Sequence, residues 1–515
     1  MPATSENTKR IAKNTVMLYF RMIVMLLISL YTSRVILNTL GVVDYGVNNV
    51  VGGVIVMLGF LTGSLGAATS RFITYDLGKG DPDALKTTFA NILTIYLVVS
   101  LIILVFGETI GLWFVNTQLQ IPADRQYAAQ WVYQLSIFSS MMGVICTPYN
   151  ACIIAHERMS AFAYMSILDA VMKLLIVYLL LVIPHDKLIV YAILNFIVQI
   201  INRVIYGSYT SRNFAEVHTR PRYNKHLFKK IFAFAGWTMN GNLAIMGYTQ
   251  GLNILLNIFF GPAVNAARAI AVRVQVMCSQ FCSNFLAAAR PQITKSYAAG
   301  DLAYMHSLMM KSSKFGFFIL FFIALPVSLE AGQVLVWWLK IVPQHTVSFL
   351  RLVLCTSLLN VLGVIVITCV HATGDIKKFQ IVEGSMLLSI VPIAYLLLKF
   401  FNLPPETVFV VHAVVEALTQ YARLRIVLPM IKLPLKTYIC QVIRPIALVA
   451  LTAPPLPIAV YCCLPKNVLS FFLVCALCVV SSSAAIYFLG ATPHERQLAV
   501  EKIKNICRKI RKQNP

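Results

Sequence analysis

The chain has 515 residues, 58% of them hydrophobic and only 12% charged, with a mean hydropathy of +0.76. A soluble domain carries roughly a quarter of its residues as charges, so most of this chain's outer surface faces something other than water. The formal net charge of +24 suggests nucleic acid only until the charges are placed: they fall in short segments between apolar runs, which is the pattern of membrane topology, and no nucleic-acid partner is expected.

A bilayer crossing takes about 20 mostly apolar residues. Lys9, Arg10 and Lys13 precede an apolar run that is too long for a signal-peptide core and lacks a small-residue cleavage site. The run at 15–38 is therefore expected to be a first, retained transmembrane helix. Runs at 47–70, 88–115, 128–150, 160–183 and 188–210 bring the expected number to six. After a basic stretch, eight more follow at 229–258, 263–287, 312–336, 346–370, 379–400, 405–427, 438–461 and 467–489. The chain is thus read as an all-α membrane protein with about fourteen transmembrane helices and no sizeable soluble domain. Its expected divisions are an amino-terminal six-helix lobe at 1–212, a basic cytoplasmic linker at 213–228 and a second six-helix lobe at 229–430. Helices 13 and 14 follow at 431–490, then a basic amphipathic tail at 491–515 lying on the membrane surface.

Charge placement supports an even number of helices. The amino terminus, the even-to-odd loops with the helix ends beside them and the tail together hold thirty Lys and Arg, the opposite loops and helix ends only Arg125, Lys187, Lys340, Lys399 and Lys466. The positive-inside rule then puts both termini in the cytoplasm. A gapless shift of 220 residues also lays 261–301 over 41–81. Gly41 meets Gly261, Ala67 and Ala68 meet Ala287 and Ala288, and Gly80 and Asp81 meet Gly300 and Asp301. The shift carries helix 2 onto helix 8, an even displacement, so the expected build is two parallel six-helix repeats plus two extra carboxy-terminal helices. Parallel repeats are one standard build of transporters that alternate access to a midplane site.

Charges inside a bilayer are costly and mark cavities or partners. Lys and Arg within the expected spans outnumber the clearest acids there, Asp169, Glu383 and Glu416. A cationic cavity for an anionic cargo follows, because guanidinium groups bind phosphate in bidentate fashion. Arg21, Arg34, Arg268 and Arg273 are the expected substrate-binding cations. Arg21 ranks above Arg34, which lies about 140° around the same helix and nearer the outer surface. Gln250, Asn253 and Asn257 form a polar stripe on helix 7; Gln280 and Asn284 continue one on helix 8. Such side chains either line a sugar-compatible lumen or join helices by hydrogen bonds. Asp169 and Lys173, spaced i, i+4, are either a structural ion pair or an ion-coupling site. Glu383 and Glu416 could carry protons or sodium, or pair with Lys377, Lys378 or Arg423.

Enzymatic readings find little support. No HExxH, GxSxG or Walker loop occurs, so no catalytic residue and no cofactor is expected. The turn Ala155-His-Glu-Arg158 offers His156 and Glu157 without a second ligand in range. Cys475 and Cys478 form a CxxC in apolar surroundings, and the other helix cysteines read as small hydrophobes; no metal site is expected.

Three segments resemble a known family. Leu40-Gly-Val-Val-Asp-Tyr-Gly46 is similar to the LG…YG signature of polysaccharide flippases. Ile153-Ile-Ala-His-Glu-Arg-Met159 resembles their turn between helices 4 and 5, and Phe260-Gly-Pro-Ala-Val-Asn265 resembles the second-half counterpart of the first signature. With the fourteen-helix layout, the resemblance points to the O-antigen and capsule flippase branch of the multidrug/oligosaccharidyl-lipid/polysaccharide exporter superfamily. It implies translocation of an undecaprenyl-pyrophosphate-linked oligosaccharide from the cytoplasmic to the periplasmic leaflet of the cell inner membrane. Membrane lipids, a polysaccharide polymerase and its chain-length machinery are the partners that go with it. The alternatives are a cation-coupled multidrug exporter of the same superfamily, which would favour acids in its cavity, and an O-antigen polymerase or ligase, which would need a large outer loop that this chain lacks.

Overall fold

The computed structural model describes residues 2–56, 59–117, 121–339, 342–465, 467–493 and 495–497. Among these the regular structure is helical, without strands. The chain begins with α1 (Pro2–Val56) and α2 (Gly59–Lys79). Then come α3 (Pro82–Thr117), α4 (Ala123–Ala155), α5 (Met159–Val182), α6 (Lys187–Asn213) and α7 (Lys225–Phe260). They are followed by α8 (Pro262–Ala298), α9 (Leu302–Leu329), α10 (Thr346–Thr373) and α11 (Lys377–Phe401). The last three are α12 (Thr407–Met430), α13 (Leu435–Cys463) and α14 (Val468–Gly490). Among the described residues eleven helices are long and apolar enough to cross a membrane by composition. Three more, α2, α8 and α12, span 21, 37 and 24 residues and are long enough to cross but more polar. The expected fourteen segments thus match the helices in chain order.

One boundary differs from expectation. The segment Leu40–Gly46, read as the turn between the first two helices, is helical and continuous with the rest of α1. No proline lies between Pro2 and Val56, and each glycine there costs a helix only about 1 kcal/mol. Its partner in the repeat does form a turn: Gly261 has φ +79 between α7 and α8 and is followed by Pro262 at the start of α8. The other end of the repeat is alike in both copies. Gly80 (φ +72) ends α2 and Gly300 (φ +77) ends α8, the left-handed termination that favours glycine. After Gly80, Asp81 caps α3 by accepting from the Asp83 and Ala84 N–H groups at 3.1 and 3.0 Å.

By packing the chain forms two compact units: 1–243, 287–302 and 371–380 in the first, and 244–286, 303–370 and 381–515 in the second. In the first unit one face of α1 packs against other helices at three places. Leu18 packs with Met159 and Ala288, Ile36 and Leu40 with Val177 and Leu180, and Val47 and Val51 with Val115, Ala129 and Leu188. Asp44, within the first signature, is held by Arg125, whose Nε donates to it at 2.7 Å and whose Nη1 also donates to Asp186 at 2.8 Å. The stretch expected as a linker is fastened to α3. The Arg222 N–H donates to the Ala90 carbonyl, Thr94 Oγ1 donates to the Arg222 carbonyl, and the Asn224 N–H donates to Asn91 Oδ1 at 2.7 Å.

In the second unit, Cys282 and Leu286 pack on Gly316 of α9. Phe349 of α10 meets Phe409 of α12 at 4.5 Å between ring centres. Lys314, near the start of the expected span 312–336, is 3% exposed and pairs with Glu495 at 2.6 Å. Arg34 lies in α1, but its side chain is outside the described residues, as is Lys466. The amphipathic tail expected at 491–515 lies outside them beyond 497.

Candidate functional site

The second unit encloses a cavity of about 370 Å³. Helix α8 lines it with Arg268, Val272, Gln275, Ser279 and Ser283, a spacing of three and four that puts one helix face toward it. Arg268 is 6% exposed. Its guanidinium donates to Asn253 Oδ1 and, at 3.2 Å, to the Thr249 carbonyl, both on α7. Asn253 in turn donates to Gln250 Oε1 at 2.9 Å. Among the described residues no carboxylate lies within ion-pair distance of Arg268, and its Nε, shielded from solvent, has no acceptor. A buried cation that meets only neutral oxygens retains most of its field for a further anion.

The opposite lining is supplied by α10, α11 and α12. Arg423 of α12 is 3% exposed and holds two acids: Nε donates to Glu383 Oε1 at 2.8 Å and Nη1 to Glu416 Oε1 at 2.6 Å. Asn360 also donates to Glu416 Oε1, at 3.1 Å. Glu416 Oε2 is shielded from solvent and has no donor. Gly363 makes this packing feasible, because a Cβ there would sit 2.6 Å from Arg423 Nη1. Arg423, near the end of the expected span 405–427, is the centre of a buried triad. Of the partners anticipated for Glu383 and Glu416, Arg423 takes both.

The remaining anticipated residues separate into groups. Arg268, Asn253 and Gln250 come together as described. Arg273, Asn257 and Gln280 are exposed and do not line this cavity, since Arg273 lies five residues from Arg268 and faces another side of α8. Asn284 is 4% exposed and hydrogen-bonded. In the first unit, Arg21 stacks over Phe162 at 4.6 Å, has no carboxylate partner among the described residues, and its shielded Nε lacks an acceptor. Asp169 receives Lys173 at 2.8 Å and Asn202 at 2.7 Å, so both of its oxygens are occupied in a local network.

The part played by Glu157, noted in the sequence only as a member of a turn, emerges from the structure. Glu157 lies in the turn between α4 and α5 at φ +60 and is 3% exposed. Its carboxylate accepts from Arg10 at 2.8 Å, Lys295 at 2.7 Å and Gln292 at 2.5 Å, and its carbonyl accepts from Asn14. A left-handed glutamate is strained by about 1–3 kcal/mol, and four contacts hold it there. No local sequence signal could have shown this, because the partners lie more than a hundred residues away.

Comparison with solved structures places the chain in a fold class. An outward-facing multidrug resistance MATE family transporter of the MOP superfamily matches with a TM-score of 0.71 at 14% identity, over 83% of this chain and 96% of its own. A MOP superfamily transporter from Pyrococcus furiosus, described by a binding pocket of reverse polarity that suggests a different function, matches at 0.70 and 13% identity over the same shares. A MATE in a bent conformation matches at 0.69 and 16% identity, over 84% of this chain and 97% of its own. No family model matches the sequence, and no curated protein matches it. The chain therefore has the fold of multi-pass MOP superfamily transporters.

Proposed function

We propose that the chain is an alternating-access flippase for an undecaprenyl-pyrophosphate-linked oligosaccharide. It would carry this cargo from the cytoplasmic to the periplasmic leaflet of the cell inner membrane, both of its own termini being cytoplasmic, for O-antigen, capsule or exopolysaccharide assembly. A polymerase and its chain-length machinery would take the product. The observation that carries this reading is Arg268, buried without an acid partner beside a cavity whose lining includes several amides and hydroxyls. A guanidinium in that state suits a diphosphate, and the amides and hydroxyls around it suit a glycan. Arg21, likewise without an acid partner, is assigned the same role in the first unit; Arg34 and Arg273 are secondary candidates. We assign ion coupling to the Arg423–Glu383–Glu416 triad rather than to Asp169 and Lys173. Two carboxylates against one guanidinium leave room for one proton or monovalent cation, whereas Asp169 is neutralised one to one.

A cation-coupled multidrug exporter is the second reading, and the fold comparisons lean toward it, since the matching structures are named as MATE transporters. Glu383 and Glu416 beside the cavity would also suit a cationic drug. The two readings separate in liposomes holding the purified full chain. Translocation of a short diphosphate-linked glycan, abolished in Arg268→Ala, supports the flippase. Gradient-driven transport of an organic cation, retained in Arg268→Ala and lost in Glu416→Gln, replaces it with the exporter.

A further inference from the structure

Cys152 and His156 stand one helical turn apart at the end of α4, so they share a face. Glu216 comes to them from the short turn Ala215–His218 that follows α6. Its Oε1 lies 3.3 Å from Cys152 Sγ and 2.6 Å from His156 Nε2, and the three donor atoms all fall within 4.8 Å of one another. Cys152 is fully buried and Glu216 is 5% exposed, while His156 is half-buried. Phe214 stacks on the imidazole at 4.0 Å and 14°, which fixes the ring plane. Among the described residues this is the one group of three such side chains close enough to share an ion. The sequence reading found no second ligand for His156; Cys152 and Glu216 are the ones it lacked.

We propose that Cys152, His156 and Glu216 form a zinc site, with a thiolate, an imidazole and a carboxylate as ligands and a fourth position open to water. Tetrahedral zinc with bonds of about 2.0–2.3 Å holds its donors about 3.3–3.5 Å apart. The sulfur–oxygen separation needs to open by about 0.2–0.3 Å, and the imidazole needs to withdraw by about 0.7 Å. A thiolate and an imidazole disfavour magnesium and calcium, which take oxygen ligands. On binding, the Cys152 thiol proton leaves to solvent, as metal–thiolate bonds require. The ion would clip the end of α4 to the start of the basic segment 213–228, a structural role independent of the cargo cavity. The competing state is metal-free, with His156 and Cys152 simply hydrogen-bonded to Glu216.

The test uses the purified full chain in detergent, stripped by a chelator and titrated with zinc against a chromophoric competitor, then with cobalt. Expected are one tight equivalent of zinc and a thiolate-to-cobalt charge-transfer band. Cys152→Ser keeps a hydrogen bond to Glu216 and should fold; it should abolish the band and weaken zinc binding by about a hundredfold or more. His156→Gln serves as the independent variant and should weaken zinc equally. Absence of zinc binding by the native chain overturns the proposal. So does binding that both variants leave unchanged, because the ion would then sit on other cysteines.

Discussion

The two units each contain a buried ionic hub, and the hubs have opposite polarity. In the first unit one carboxylate, Glu157, is held by two cations, Arg10 and Lys295. In the second, one guanidinium, Arg423, is held by two carboxylates, Glu383 and Glu416. Their surroundings differ as much as their signs. The cations of the Glu157 hub reach solvent, with the Arg10 side chain 48% and the Lys295 side chain 24% exposed, and the hub sits in a connection between helices. All three members of the Arg423 hub are at most 9% exposed and border a cavity. Surplus charge in the first can be hydrated. In the second the carboxylate surplus is shielded by the protein and borders the cavity, which is why the proposed ion coupling is assigned to it.

Removing the centre of each hub should separate them most clearly. Arg423→Met leaves two buried carboxylates without their cation, and removing one partner of a buried ion pair costs about 3–5 kcal/mol. Glu157→Gln leaves two cations that turn to solvent, while the amide still accepts one hydrogen bond; about 1–3 kcal/mol is expected. Thermal unfolding of the two variants in detergent gives the order, and a larger loss for Glu157→Gln would break the comparison. Adding Glu383→Gln and Glu416→Gln to Arg423→Met should recover much of its loss.

A smaller effect is expected at Gly363, where a methyl group would press on Arg423. Gly363→Ala should cost about 1–3 kcal/mol by overpacking and should also impair gradient-coupled transport, since it disturbs the triad. Gly80→Ala makes the matching control. Nothing lies near its Cβ position, so only the left-handed backbone resists, at about 1 kcal/mol, and transport should survive. Equal transport in the two variants would detach the triad from coupling.

Much of the fold could be read from the chain. Hydropathy marked eleven of the helices strongly and the more polar α2, α8 and α12 more weakly, and the glycines that end α2 and α8 were visible as a repeated Gly-Asp pair. The turn at Leu40–Gly46 was misread because the shared glycine lies in a helix interior in one copy and in a reversal in the other; of the residues that differ after it, the proline at 262 is the one that favours a helix start there. Residue types for a cavity were legible, their directions less so. Arg268 and Arg273 look alike in sequence, yet five residues of helix turn one into the cavity and the other away. The hubs and the Cys152–His156–Glu216 cluster were invisible, because each joins residues from separate helices and connections, and no periodicity reports which distant acid meets which cation.

The smallest predicted effect concerns the pair at the far end of the second unit. Burial alone would raise the Glu495 carboxyl, but hydrogen bonds from Lys314 and from the Thr492 N–H outweigh it and hold the group below the usual carboxylate range. A carboxyl lowered on folding contributes stability that is present above its unfolded value, about 4.3, and is lost as pH falls through the lower folded value. The segment after α14 should therefore stay fastened at neutral pH and loosen only in acid. Limited proteolysis near Glu495 measures this: the native chain should become more readily cut below about pH 4, while Glu495→Gln should be cut at one elevated rate throughout. Acid sensitivity that persists in Glu495→Gln would place the titrating group elsewhere and leave the Lys314 contact as packing alone.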